Sequence, residues 1–376
     1  MSTKFLANTA LAAVFLSKDA IYTYAQYTSG QLVEIKGQIP APSVGDLRDY
    51  SAVDGSPKRI PLPKTDKNPK LFTPLAAACT SETVSNLLPS PENYLTGYKR
   101  YVFYVDKDNY LSVAYTKNET DSWTSENLCA DEKKVTCAAY SKLAAVKIAD
   151  QDGRDVICVY YQGTDDSGDI LLVNLKDSKW KDGDPKLCDP PLFGTALAAV
   201  KPVPGTQSSD SAYPVVFYQQ NTLVLTYSQD NKNPAGKGFS WPCIFAADST
   251  VDVTPYGISN KGEALSGHGY IAAVEDGANN WCFYTSDDNY VREIGITKKG
   301  LWMESAPRVG LDRTAVPGSP LAAVLSVQPD VPENIVLFYL LRDTDKSINI
   351  YASTLTRVSA ADIDRWSASP GVSLTA

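Results

Sequence analysis

One tetrapeptide constrains this chain more than any other feature, because it recurs six times. The copies are Leu11-Ala12-Ala13-Val14, Leu75-Ala76-Ala77-Ala78, Leu143-Ala144-Ala145-Val146, Leu197-Ala198-Ala199-Val200, Ile271-Ala272-Ala273-Val274 and Leu321-Ala322-Ala323-Val324, and their starts lie 64, 68, 54, 74 and 50 residues apart. A single copy carries no weight. Six copies, each followed by the same succession of segments, mark a repeat architecture. A second apolar run follows in every unit and ends in aromatics: Ile21-Tyr22-Thr23-Tyr24, Tyr101-Val102-Phe103-Tyr104, Val159-Tyr160-Tyr161, Val216-Phe217-Tyr218, Trp281-Cys282-Phe283-Tyr284 and Val336-Leu337-Phe338-Tyr339. After a turn of Asp, Asn, Gly or Gln comes a third run, at 32–35, 111–115, 170–175, 223–227, 290–294 and 348–351. Five units then carry a Trp where a fourth strand belongs: Trp123, Trp180, Trp241, Trp302 and Trp366. The first unit has instead a long Pro-rich stretch, 36–72.

These runs are short, β-branched and aromatic, and bounded by turn formers, so they read as strands. Four strands in each of six units predict an all-β, six-bladed β-propeller with four antiparallel strands per blade. The alanines have a physical reason. Inner strands of all blades converge on one axis, where small side chains let backbones crowd, while aromatic second strands fill the wider space between blades. A length of 376 residues would allow two or three domains, but a closed ring of repeats grows as one unit. The expectation is a single domain over 1–376, with blades starting near 11, 75, 143, 197, 271 and 321.

Composition removes several function classes. Net charge is −8 and no Lys/Arg run forms a phosphate-tracking stripe, so nucleic acid is not an expected partner. An acidic surface disfavours anionic membranes, and no apolar run reaches the roughly 18 residues of a membrane span. Residues 1–16 superficially suggest a secretory signal, but cleavage there would delete the first repeat. Seven Cys are odd in number and unevenly spaced, and Cys158 and Cys282 sit inside apolar runs. The expectation is reduced thiols and a cytoplasmic protein.

The repeats resemble the fungal fucose-specific lectins, through the Leu-Ala-Ala-Val strand, the segments Val159-Tyr160-Tyr161-Gln162 and Val216-Phe217-Tyr218-Gln219, and the later Trp. That resemblance covers nearly the whole chain and implies the six-bladed fold. It also implies sugar pockets built from an Arg just before Val-Tyr-Tyr, a Glu on the third strand and an aromatic ring. By sequence alignment the Arg position holds Ile21, Tyr101, Cys158, Val215, Trp281 and Val336. Arg100 comes one place early and should face the other side of its strand. The Glu position keeps Glu34 and Glu293, with Asn174 in the third unit. The paired donor and acceptor are therefore missing in every unit, which weighs against fucose binding by the family's mode.

Little acid–base machinery remains. His268 is the only histidine, with no nucleophile elbow beside it. One His and scattered Cys give no metal-ligand pattern, and there is no Gly-rich phosphate loop, so neither a metal nor a cofactor is expected. What is left is a ring with a central funnel and many aromatics, suited to binding or to catalysis by shape and hydrogen bonding. The chain is also similar to a lectin-like branch of fungal hetero-Diels–Alderases, which join a tropolone-derived o-quinone methide to a humulene-type terpene without a cofactor. That resemblance implies a pericyclase whose partners are an apolar terpene and a quinone methide. Self-association as a homodimer is a further expectation, and a glycan-binding lectin is the alternative.

The segments leading into the inner strands should share one face with the turns between second and third strands. They supply the candidate pocket: Thr73, Tyr140 and His268 as catalytic donors, and Tyr270, Trp281, Thr195 and Ser319 as substrate-binding residues.

Overall fold

A computed structural model describes residues 5–17, 20–38, 51–52, 57–62, 68–81, 98–116, 122–130, 133–149, 155–165, 167–176, 179–182, 191–201, 214–219, 225–229, 243–244, 269–277, 279–286, 289–297, 302–303, 315–326, 334–342, 348–360, 363–368 and 372–374. Every regular element among them is a β-strand. The strands form six antiparallel sheets of four or five strands, each built from consecutive strands, and one two-stranded ribbon at Cys129–Ala130 and Lys133–Lys134. The inner strands are Ala12–Ser17, Leu75–Ser81, Leu143–Ala149, Ala198–Val200, Ile271–Glu275 and Ala322–Ser326. Each packs on the next in chain order, and the sixth packs on the first. That closed cycle is a β-propeller, and the six sheets are called the first to sixth blades below.

Every tetrapeptide shows one burial pattern. Its first, second and fourth residues are buried, and its third is half-buried: Ala13, Ala77, Ala145, Ala199, Ala273 and Ala323. These six alanines pack against the cluster shared with the preceding blade, close to the axis, where small side chains let the inner strands crowd.

Side-chain alternation along the second strands fills the spaces between blades. Tyr24, Phe103, Tyr160, Phe217, Phe283 and Phe338 point forward into the space shared with the following blade. The next residue points backward: Tyr104, Tyr161, Tyr218, Tyr284 and Tyr339 in blades two to six, and Ala25 in blade one. Five interblade wedges therefore hold a forward ring and a backward ring. The sixth, between blades six and one, has Ala25 in the backward place, and Phe5 and Tyr27 join its cluster. Tryptophans on the fourth strands add a third ring: Trp123 meets Tyr24 edge-on at 6.2 Å, and Trp180 meets Phe103 at 5.8 Å.

Polar clasps fix the blades to one another. A buried Thr or Ser leads into five inner strands, and its hydroxyl accepts the N–H of the second strand's last residues: Thr9 from Gln26, Thr73 from Val105, Ser141 from Gln162, Thr195 from Gln219 and Ser319 from Leu340. The glutamine of the Val-Tyr-Tyr-Gln segment then reaches the next blade. Gln162 donates to Gly168 O and Leu192 O and accepts from the N–H of Gly194. Gln26 does the same with Gly30 O, Lys70 O and the N–H of Phe72. That last bond holds Phe72 at φ 58°, the place taken by Gly194 at φ 75°, so a bulky residue carries left-handed backbone strain for the clasp. Val105 occupies the glutamine place in blade two, and Lys70 takes over, donating to Ala139 O and Asn109 Oδ1.

Blade one completes itself with two short strands, Ser51–Ala52 and Lys58–Arg59, both paired to Leu32–Gln38. Near the C-terminus, Val372–Leu374 pairs with the third strand of blade six. Trp123, Trp180, Trp302 and Trp366 lie on fourth strands, while Trp241 falls outside the described residues.

Gln162→Leu is expected to destabilise the protein by about 2–4 kcal/mol, since each buried partner left unsatisfied costs roughly 1–3 kcal/mol. A urea titration should show a lower midpoint with an unchanged slope.

Candidate functional site

Strand register decides which residues occupy the places that the sequence assigned to sugar binding. Cys158 stands opposite Val146, the fourth residue of its tetrapeptide. The same place holds Tyr22, Tyr101, Val215, Trp281 and Val336 in the other blades. The blade-one residue is thus Tyr22 and not Ile21. The aromatic run of blade one ends at Tyr24, one place earlier than in the other blades, which displaces the sequence match by one residue. The Glu position pairs with the forward ring: Glu34 with Tyr24 and Glu293 with Phe283. In the third blade it is Leu172, opposite Tyr160, and not Asn174. All six residues at the Arg position are buried, and none is cationic.

The wedge between blades one and two nevertheless holds an arginine. Arg100 and Tyr101 point to opposite sides of their strand, as expected, and the side that Arg100 faces is the wedge into which Glu34 projects. Arg100 Nε donates to Glu34 Oε2 at 3.0 Å and Nη2 to Oε1 at 3.4 Å. The Tyr24 hydroxyl donates to Glu34 Oε2 at 3.1 Å. The guanidinium lies 4.2 Å from the Tyr22 ring centroid and 5.6 Å from that of Trp123. Arg100 is 1% exposed and Glu34 5%. Burial raises the Tyr24 pKa well above the ordinary phenol range, and the Glu34 charge raises it further, so this phenol stays a donor. Burial alone would lower the Arg100 pKa; Tyr24, Glu34 and Tyr22 outweigh it and raise the value. An acid, a cation and an indole are assembled here, but the two charges satisfy each other inside a closed wedge. The sequence signal for this pair was parity: Arg100 faces backward and Glu34 forward.

The face carrying the segments that lead into the inner strands is the second candidate. It is shared with the second-to-third-strand turns, as expected: a Cβ on Gly30 would approach Leu71, and one on Gly168 would meet Phe193 and the Tyr140 hydroxyl. Thr73, Thr195 and Ser319 are fully buried, and their hydroxyls are engaged by the clasp bonds and by the carbonyls of Pro74, Ala196 and Pro320. Trp281 is buried between blades five and six, and its indole N–H donates to Asp276 Oδ2 at 2.6 Å. His268 lies outside the described residues. Tyr140 is 39% exposed and meets Phe193, 46% exposed, edge-on at 5.4 Å. Leu71 and Phe72 are also exposed, so the exposed large apolar side chains among the described residues gather on this face.

At the axis, the residues directly before the six tetrapeptides form a collar: Ala10, Pro74, Lys142, Ala196, Tyr270 and Pro320. Lys142 reaches from blade three to blade five, past the blade between them. Its Nζ donates to the Tyr270 hydroxyl at 3.1 Å and lies 4.9 Å from the ring centroid. Both side chains are half-buried. Lys142 was visible in the sequence only as part of a leading segment; its reach across the mouth depends on ring closure.

Among the described residues no three His, Cys, Asp or Glu come together as a metal site. No helix among them is long and apolar enough to cross a membrane. Cys79, Cys129, Cys137, Cys158 and Cys282 are free thiols. Burial pushes the pKa of Cys137 and Cys158 up to about 12, which keeps them protonated and inert.

Comparison with known proteins sets this geometry beside solved folds. The model of the fungal fucose-specific lectin family matches residues 67–244. Aleuria aurantia lectin, solved with alpha-methyl-L-fucoside, aligns over 100% of this chain and 98% of its own at 19% identity and a TM-score of 0.64. This chain is a lectin-like β-propeller. AofleA from Arthrobotrys oligospora covers 99% of the lectin-like chain with 88% of its own, at 15% identity and a TM-score of 0.60. A lectin from Burkholderia pseudomallei gives 98% and 85%, at 17% identity and a TM-score of 0.57. Likeness at these identities speaks for the fold. No curated protein matches the chain by sequence.

Arg100→Met is expected to cost about 3–5 kcal/mol, because it strands the Glu34 charge in the wedge. Adding Glu34→Leu should recover most of that loss in the same thermal or urea titration. A single-variant cost below about 1 kcal/mol would mean that the pair is solvated and the wedge open.

Proposed function

We propose that this lectin-like propeller binds small, largely apolar molecules at its axial mouth. There it acts, in the cytoplasm, as a cofactor-independent pericyclase of fungal natural-product biosynthesis. The reaction is a hetero-Diels–Alder cycloaddition of a tropolone-derived o-quinone methide with a humulene-type terpene. The observation that carries this reading is the absence of a cation from all six Arg positions: Tyr22, Tyr101, Cys158, Val215, Trp281 and Val336 are buried and cannot grip sugar hydroxyls with a guanidinium. On the face that leads into the inner strands, Tyr140 and Phe193 are exposed and Lys142 and Tyr270 half-buried.

Cycloaddition needs no base. It needs the two partners held in a reactive pose, which replaces a bimolecular encounter by an oriented one. It also gains from a donor near the quinone-methide oxygen, where negative charge grows as the new bonds form. Tyr140 and Phe193 offer apolar walls, and Tyr270 offers a hydroxyl. His268, two places before Tyr270 in the chain, joins them in this proposal as a polarising donor. Thr73, Thr195 and Ser319 act here by fixing the strands that carry the mouth, and Trp281 by walling the wedge behind Tyr270. A homodimer is part of the same proposal.

A glycan-binding lectin is the second reading. It is favoured by the wedge that gathers Glu34, Arg100 and Trp123, and by solved relatives that carry fucosides.

The two readings part cleanly. Purified protein added to a spontaneously formed o-quinone methide and a humulene-type terpene should change the product ratio or its handedness, and unchanged racemic product would remove the pericyclase reading. A lectin should instead give fucose-dependent signal on a glycan array that Glu34→Ala abolishes.

A further inference from the structure

The axial collar has an uneven chemistry. Ala10, Pro74, Ala196 and Pro320 offer no side-chain hydrogen bond, and behind them lie the half-buried alanines of the inner strands. Lys142 and Tyr270 alone bring polar side chains to this ring of six residues. The structure gives the ammonium one side-chain partner, the Tyr270 hydroxyl at 3.1 Å. Among the described residues no carboxylate pairs with it, in a chain whose net charge is −8. The neighbouring amine of Lys70 is spoken for by Ala139 O and Asn109 Oδ1. Lys142 also bears on Lys70: burial lowers the Lys70 pKa, and the positive charge of Lys142 lowers it further.

A half-buried ammonium that no carboxylate among the described residues pairs leaves its charge for a bound anion to complement. Two donors converge here. The Lys142 ammonium has N–H bonds left over after the one given to Tyr270, and the Tyr270 hydroxyl, having accepted, keeps its own proton to give. Donor atoms 3.1 Å apart match a ligand with two oxygens on one carbon or on adjacent carbons. Charge-assisted bonds to such a ligand are roughly twice as strong as neutral ones, and apolar walls strengthen them further. The Tyr270 ring, whose centroid lies 4.9 Å from the ammonium, can cover a flat hydrocarbon body.

We propose that Lys142 and Tyr270 form a binding site for a planar organic anion whose two neighbouring oxygens share the charge, such as an aryl carboxylate or an enolone. The proposal rests on the small-molecule reading above and adds to it the charge and the bite of the ligand. Lys142 anchors the anionic end, so the reacting part of the molecule faces the rings of the mouth.

The test is calorimetric titration of the purified full chain with tropolone at a pH where it is ionised, with benzoate, and with neutral benzyl alcohol. Both anions should bind at least tenfold more tightly than the alcohol. Lys142→Met should remove that advantage, with at least a tenfold loss for each anion and no change for the alcohol. Tyr270→Phe should cost several-fold, and Lys142→Arg should keep most of the affinity. Thermal unfolding of the variants should match the wild type, since both side chains are half-exposed. Equal affinity for anions and alcohol, no anion binding to the wild type, or undiminished anion binding in Lys142→Met would overturn the site. Anion binding lost in Lys142→Met from a protein that leaves cycloaddition products unchanged would uphold the site while removing the pericyclase reading.

Discussion

Crowding at the axis governs this molecule. Six strands have to run side by side around one axis, and the third residue of every tetrapeptide is the least buried of the four. Alanine there keeps the inner strands close enough for each to pack on its neighbours. Everything outward follows from the widening that a ring imposes. The next strand out has more room between blades, and a forward ring and a backward ring fill it in five wedges. The strand alternation that sends Tyr160 one way and Tyr161 the other is thus both the packing rule and the device that joins the blades.

The same alternation decides where chemistry can occur. Positions that face forward on the second and third strands would line a pocket between blades if they carried small or polar groups. Here they carry Tyr101, Val113, Leu172 and Trp281, so the wedges are packed. The wedge of blades one and two keeps an acid, but an arginine from the opposite wall closes over it, and Tyr24 adds a third hydrogen bond to the same carboxylate. A buried ion pair of this kind contributes little net stability, yet it is costly to break. The exposed apolar side chains Leu71, Phe72, Tyr140 and Phe193 gather instead on the face that leads into the inner strands.

Much of the fold was legible because each blade repeats the same instruction. The tetrapeptides, the aromatic second strands and four of the late tryptophans all lie in the elements read from sequence. Three things were not legible, each for a physical reason. Blade one has Ala25 where other blades have a backward ring, so its aromatic run ends early and its sequence pattern points to Ile21 where the register has Tyr22. The hydroxyls of Thr73, Thr195 and Ser319 look like pocket groups in a leading segment, but backbone amides across the blade claim them, and only the paired register reveals that. Arg100 and Glu34 lie in different blades, as do Lys142 and Tyr270. Their meetings depend on ring closure, which no local pattern encodes.

In the proposed reading, small molecules bind at the axial mouth and not between the blades. The most direct measurement is a crystal structure of the protein with tropolone or a stable cycloadduct bound. The account predicts density at the axial mouth, with oxygens beside Lys142 and Tyr270 and the Arg100–Glu34 pair undisturbed. Density between blades one and two, against Trp123 with Arg100 swung away from Glu34, would contradict it.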